Sequence, residues 1–138
     1  MIKELDKDFT SLNEYISQLN PSKIFILVDE NTHNHCLPIL LPNLETDAPF
    51  EVIEIEAGEE NKNIGTATQL WEVFSEMEAD RKSLLINLGG GVVTDLGGFV
   101  ASTYKRGIRF INLPTTLLAM CDASIGGKTG IDHQYLKN

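Results

Sequence analysis

Apolar and polar positions along the 138-residue chain follow two alternating periods. In SLNEYISQLN (11–20), Leu12, Tyr15, Ile16 and Leu19 recur at helical spacing until Pro21 punctuates the pattern. KIFILVDEN reads as a buried strand whose apolar run closes on the polar Asp29 and Asn31. FEVIEIEAG (50–58) sets Val52, Ile53 and Ile55 among acids and reads as a second strand. From Asn63 to Asp80 the helical period returns, with Ile64, Ala67, Leu70, Trp71, Phe74 and Met77 on one face. SLLINL is a third strand and GIRFINL a fourth, with the helical VVTDLGGFVASTY between them and TTLLAMCDASIGG after. Strand and helix alternate, which predicts an α/β layer on a mostly parallel sheet, with ligands at the carboxyl ends of the strands.

Composition changes this picture little. A 42% hydrophobic and 22% charged chain is ordinary for a globular domain, and no apolar run nears the ~18 residues of a membrane helix. The opening MIKELDKDFT has neither an apolar signal core nor an Arg/Ser-rich transit pattern, so the expected location is cytoplasmic with no membrane partner. Cys36 and Cys121 lie in apolar surroundings without CxxC spacing and read as free, buried thiols.

Charge is more informative. A net charge of −9 argues against a nucleic-acid partner, because phosphate tracks need clustered Lys and Arg. Yet five of the eleven basic residues, Lys105, Arg106, Arg109, Lys128 and Lys137, follow the triple glycine Gly89–Gly91. Basic residues scarce overall but gathered in one region fit a pocket for a small anion.

The glycines pose the central chemical question. A strand ending in Gly89, Gly90 and Gly91 and passing straight into a helix brings free backbone N–H groups and the positive end of the helix dipole to one spot, where phosphate binds. GGGVVTDLGG does not fit the G-x-G-x-x-G dinucleotide spacing, so close packing alone is the competing explanation. Gly97 and Gly98, inside the following helix, read as packing positions. His33 and His35, two apart, do not make a metal site, which takes three or four convergent ligands.

The stretch GGGVVTDLGGFVASTYKRGIRFINLPTTLLAMCDASIGGKTGID resembles the core signature of the 3-dehydroquinate synthases, combining GGGVxxD, YKRG, PTTLLA, the acid at 122 and GGKTG at similar intervals. The likeness runs from about Asp29 to the last residue and is most specific between 89 and 130. It implies that 1–138 is a Rossmann-like NAD-binding N-terminal domain, a piece of a longer chain that lacks the family's helical C-terminal domain and with it the divalent metal ligands, for zinc or cobalt.

By the same resemblance Asp29 and Asn31 hold the adenosine ribose, although Asn31 could equally cap the next helix. Glu59 and Lys62 of GEENK face the cofactor, where the residues alone read as a solvated turn. Gly90 and Gly91 face the pyrophosphate and Asp95 the nicotinamide end, although Asp95 also suits a first helical turn. Thr115 and Thr116 bind nucleotide or cap a helix. Asp122 and Lys128 match the catalytic acid and base beside the reacting ring, with Lys128 and Lys137 also near the cofactor. Arg106, Lys128, Lys137 and Asn138 match positions around the phosphate or carboxylate of the substrate, a phosphorylated seven-carbon sugar acid. The family's counterpart of Arg106 reaches a neighbouring subunit, which implies a homodimer.

The implied activity is NAD-dependent closure of 3-deoxy-D-arabino-heptulosonate 7-phosphate to 3-dehydroquinate and phosphate in the shikimate pathway, with this piece alone binding NAD without turnover. Another sugar phosphate cyclase, or a non-catalytic nucleotide-binding module, are the alternatives. Thr94, Met120, Cys121, Asp132 and Leu136 depart from the family pattern, and Asp132 adds negative charge near a site meant for anions.

Overall fold

A computed structural model of the chain describes residues 9–115. Helix α1 (Thr10–Leu19) leads into strand β1 (Ile24–Asp29), followed by two short helices, α2 (Glu30–His35) and α3 (Leu37–Leu40). Strand β2 (Phe50–Ile55), helix α4 (Ile64–Glu76), strand β3 (Leu84–Leu88), helix α5 (Gly91–Thr103) and strand β4 (Arg109–Leu113) complete the order. The strands form one parallel sheet in the order β2-β1-β3-β4. The predicted alternation and parallel sheet are therefore present, and the chain has an α/β, Rossmann-like architecture.

The central strands carry no alternation because both of their faces are covered. Every residue of β3 is buried, as are Ile24–Val28 of β1. One face holds α4 and α5 over Phe25, Leu27, Ile53, Ile55 and Leu85; the other holds α1 and α3 over Ile24, Ile26, Val28, Leu84 and Ile86. At ~25 cal/mol per Å² of apolar surface, each such Leu or Ile contributes roughly 1.5–3 kcal/mol.

One expected core position is exposed, and one polar residue is buried that the apolar pattern does not mark. Ile64 is 65% exposed, because it opens α4 over a hollow and not over the sheet. Asn13 is buried among the apolar residues of α1, since its amide donates to the Asn43 carbonyl (2.8 Å) and accepts from the Glu45 N–H (2.9 Å). A polar side chain enters a core where its bonds are made.

At the amino edge of the sheet the turn before β3 is tied to the start of β1. Asp80 Oδ1 accepts from Ser22 Oγ (2.7 Å), from the Lys82 N–H (2.8 Å) and from Ser83 Oγ (3.4 Å). The Ser22 hydroxyl above all holds the Asp80 carboxyl below its ordinary range, against a smaller opposing effect of burial. A depressed carboxyl stabilises above the unfolded value near ~3.9 and loses that contribution as pH falls through the folded one. Asp80→Asn is therefore expected to destabilise slightly at neutral pH, with the gap in melting temperature closing below about pH 4. A gap that persists at acid pH would show that the charge of Asp80 plays no part.

Candidate functional site

The strand order creates a switch point. From β1 the chain moves outward to β2, and from β3 it moves the other way to β4, so the carboxyl ends of β1 and β3 lie side by side with their connections departing in opposite directions. In parallel α/β sheets such a crevice takes the ligand.

On one side of the crevice Asp29 ends β1 and caps α2. Its Oδ1 accepts from the Thr32 N–H (2.8 Å), while the Thr32 hydroxyl accepts from the Asp29 N–H (3.0 Å), a reciprocal capping box. A cap of this kind is worth ~1 kcal/mol. The capping bonds use Oδ1, and Oδ2 takes no part in them. The cap is thus Asp29 and not Asn31, which lies exposed in the first turn of α2, because Asp29 is the last extended residue before the helix. Glu30 accepts the Ala57 N–H (2.7 Å) and draws the loop after β2 toward the same edge.

On the other side the three glycines divide by function. Gly89 donates its N–H to the Leu113 carbonyl (3.2 Å), and a Cβ there would stand 2.9 Å from Val93, so packing demands glycine. Gly90 caps α5 with φ −86° and Gly91 opens it, and a Cβ at either would meet nothing within 4 Å. Neither adopts a positive φ. At these two positions conformation and packing make no demand, and the bare start of α5, whose first N–H groups have no partner inside the helix, opens onto free space. Thr94 is helical and bonds back to the Gly90 carbonyl (3.1 Å), so the side chain at this position is accommodated.

Glu59, Lys62 and Asp95 come together although 36 residues separate the first from the last. Glu59–Asn61 form a single 3-10 turn after β2, and Lys62 Nζ bridges Glu59 (3.1 Å) and Asp95 (3.2 Å). Hydrogen bonds that the Lys62 ammonium donates to Glu59 and then to Asp95 raise its pKa. Asp95 lies beyond the first turn of α5, which holds no acid, so its partner is Lys62 and not the helix end. Beside this bridge is a hollow of about 280 Å³ lined by Asn63, Ile64, Ala67, Leu96 and Phe99 with the two bridging residues.

Thr115 follows Pro114 at the carboxyl end of β4 and so stands at the same edge as Asp29, Gly90 and Gly91. Arg106 does not. Helix α5 runs back across the sheet for 13 residues, roughly 20 Å at 1.5 Å each, and Arg106 lies past its far end. There Lys105 (φ 45°), Arg106 (φ 68°) and Gly107 (φ 103°) run successively left-handed. The turn is closed by the Gly107 N–H on the Tyr104 carbonyl (2.6 Å) and the Ile108 N–H on the Ala101 carbonyl (2.7 Å). Thr116, Asp122, Lys128, Lys137 and Asn138 lie outside the described residues, as does Cys121.

Cys36 is a buried free thiol, and burial first and the Asp29 charge second push its pKa up to about 11, which makes it unreactive. His33 pairs with Glu54 (2.8 Å). Among the described residues no group of three or more His, Cys, Asp or Glu could hold a metal ion, and no helix is long and apolar enough to cross a membrane.

Sequence reading missed Asn87 and Asn112, directly opposed in β3 and β4, with Asn87 Nδ2 donating to Asn112 Oδ1 (3.0 Å). Their like settings were visible, since the tripeptide Ile-Asn-Leu recurs at 86–88 and 111–113, but their pairing was not.

Known proteins match this arrangement. The chain is 47% identical over 133 residues to the 3-dehydroquinate synthase of Parabacteroides distasonis, covering 96% of this chain and 37% of that protein. It thus spans a little over a third of the length of the curated relatives it matches. A 2-deoxy-scyllo-inosose synthase solved with carbaglucose-6-phosphate, NAD+ and Co2+ superposes with a TM-score of 0.70 at 27% identity, over 82% of this chain and 31% of that one. The 2-epi-5-epi-valiolone synthase of Streptomyces hygroscopicus subsp. jinggangensis 5008, solved with NAD+ and Zn2+, gives 0.63 at 26% identity, over 97% and 37%. The family described as 3-dehydroquinate synthase N-terminal matches residues 52–138, well over half of the chain, which therefore belongs to that family.

Proposed function

We propose that residues 1–138 are the NAD-binding part of a 3-dehydroquinate synthase, which converts 3-deoxy-D-arabino-heptulosonate 7-phosphate to 3-dehydroquinate and phosphate in the shikimate pathway. The observation that carries this reading is the open start of α5, where Gly90 and Gly91 are required neither by φ nor by a neighbour. A diphosphate accepting from bare backbone N–H groups is the ligand such a helix end fits. Asp29 offers a carboxylate oxygen outside its cap to ribose hydroxyls, and Asn31, Glu59, Lys62, Asp95, Thr115, Thr116, Lys128 and Lys137 complete the proposed cofactor set. When bound, NAD would supply a hydride acceptor for a ring hydroxyl, and these residues would hold and orient it.

Asp122 and Lys128 are proposed as catalytic groups, with Arg106, Lys137 and Asn138 joining Lys128 around the substrate. The far-edge position of Arg106 supports its service to a neighbouring subunit, and so a homodimer. The described residues fit no metal, and no metal-dependent step is assigned to them. The 47% identity to a 3-dehydroquinate synthase favours this activity over the other cyclases, which are 26–28% identical.

Calorimetric titration of the folded chain with NAD tests the reading. Heat of binding at micromolar to millimolar NAD is expected, with Arg106→Ala unchanged in affinity because Arg106 stands at the opposite edge of the sheet. No heat at millimolar NAD would overturn the cofactor site, and a loss in Arg106→Ala would overturn the placement of Arg106.

A further inference from the structure

Beneath the glycine turn one buried polar atom has no donor. Asn87 is fully buried in β3, its Nδ2 is given to Asn112, and its Oδ1 has no hydrogen-bond partner among the described residues. That oxygen points at the backbone of α5. A Cβ on Gly97 would overlap Asn87 Oδ1 and Cγ and stand 2.8 Å from Nδ2. Leaving an acceptor buried and unsatisfied costs stability that an apolar residue would not lose. Gly97 gives the oxygen only a Cα–H, a weak donor.

The geometry points to Asn87 as a positioning residue for the cofactor turn. Its amide, anchored across the sheet by Asn112, sets how closely α5 seats on β3, and Gly97 is the surface on which it acts. Gly97 lies six residues after Gly91 on the same helix, so a displacement at 97 is carried rigidly to the N–H groups that open α5. One bond above the amide pair, the Gly89 N–H reaches Leu113, which locks the ends of β3 and β4 and leaves the helix as the part that can move. A methyl at 97 needs ordinary contact distances near ~3.5 Å, so α5 would rise by roughly one and a half ångströms or the amide pair would break. This inference rests on the reading of the α5 start as the diphosphate site.

The test is NAD titration of the chain, Asn87→Ala, Gly97→Ala and the double variant, each with a melting curve and each fully folded at the titration temperature. Gly97→Ala is expected to weaken NAD binding roughly tenfold or more. The double variant, in which the new methyl fills the space the amide vacates, is expected to bind NAD more tightly than either single variant. Additive losses, or a Gly97→Ala change confined to melting temperature, would overturn the inference and reduce the pair to core packing. If Gly97→Ala does not fold, Asn87→Ala against the double variant decides: restored affinity supports the inference and equal or weaker binding overturns it. A parent chain that gives no heat with NAD sinks the diphosphate reading itself, and the inference with it.

Discussion

Gly91→Ala is expected to leave the chain at least as stable as before and yet to weaken NAD binding on the order of a hundredfold, the equivalent of about one charge-assisted hydrogen bond near the top of the ~1.5–3 kcal/mol range. The two effects separate because they have different causes. Residue 91 is helical and exposed, and the added methyl meets nothing within 4 Å, so folding gains up to about 1 kcal/mol of helix propensity. The same methyl occupies the space through which a diphosphate would approach the first N–H groups of α5. Gly89→Ala is the control with the opposite signature, because its methyl would press on Val93 at 2.9 Å and lower stability. Melting curves and NAD titrations on both variants check the pair. Undiminished affinity in Gly91→Ala would remove the diphosphate from this turn.

Phe74→Ala is expected to cost about 3–5 kcal/mol, a large share of the 5–15 kcal/mol that holds a domain together. Phe74 is 1% exposed at the centre of the face covered by α4 and α5. Its ring lies 5.0 Å from Phe25 and, edge-on, 5.4 Å from Tyr104, so truncation opens a cavity that three elements border. Tyr104 in turn donates its hydroxyl to the Ala79 carbonyl (3.3 Å) and supports the left-handed run that ends α5. Two non-glycine residues there, Lys105 and Arg106, each carry roughly 1–2 kcal/mol of backbone strain that the packing around Tyr104 must offset. Urea denaturation gives the loss, and a value under about 1 kcal/mol would mean that the site collapses without a cavity.

What was legible in the amino-acid order is what local chemistry decides. The apolar runs around Leu27 and Ile86, the helical period through Leu70 and Phe74, and the glycines after Leu88 mark strands, helix and turn by unbroken apolar stretches, by a period of 3.6 and by the absence of side chains. These specify an α/β chain and a phosphate-friendly bend without reference to any distant residue. Through-space neighbours are not legible in that way. Only the strand order made β1 and β3 adjacent and so gave Asp29 and Gly90 a common crevice, and only the direction of α5 carried Arg106 to the far edge. The bridge from Lys62 to Asp95, the exposure of Ile64 and the meeting of Asn87 with Asn112 beneath Gly97 have the same origin. Each depends on which long-range pairing wins, a contest settled by the burial of whole faces and by the register between parallel strands, and no window of sequence contains its outcome.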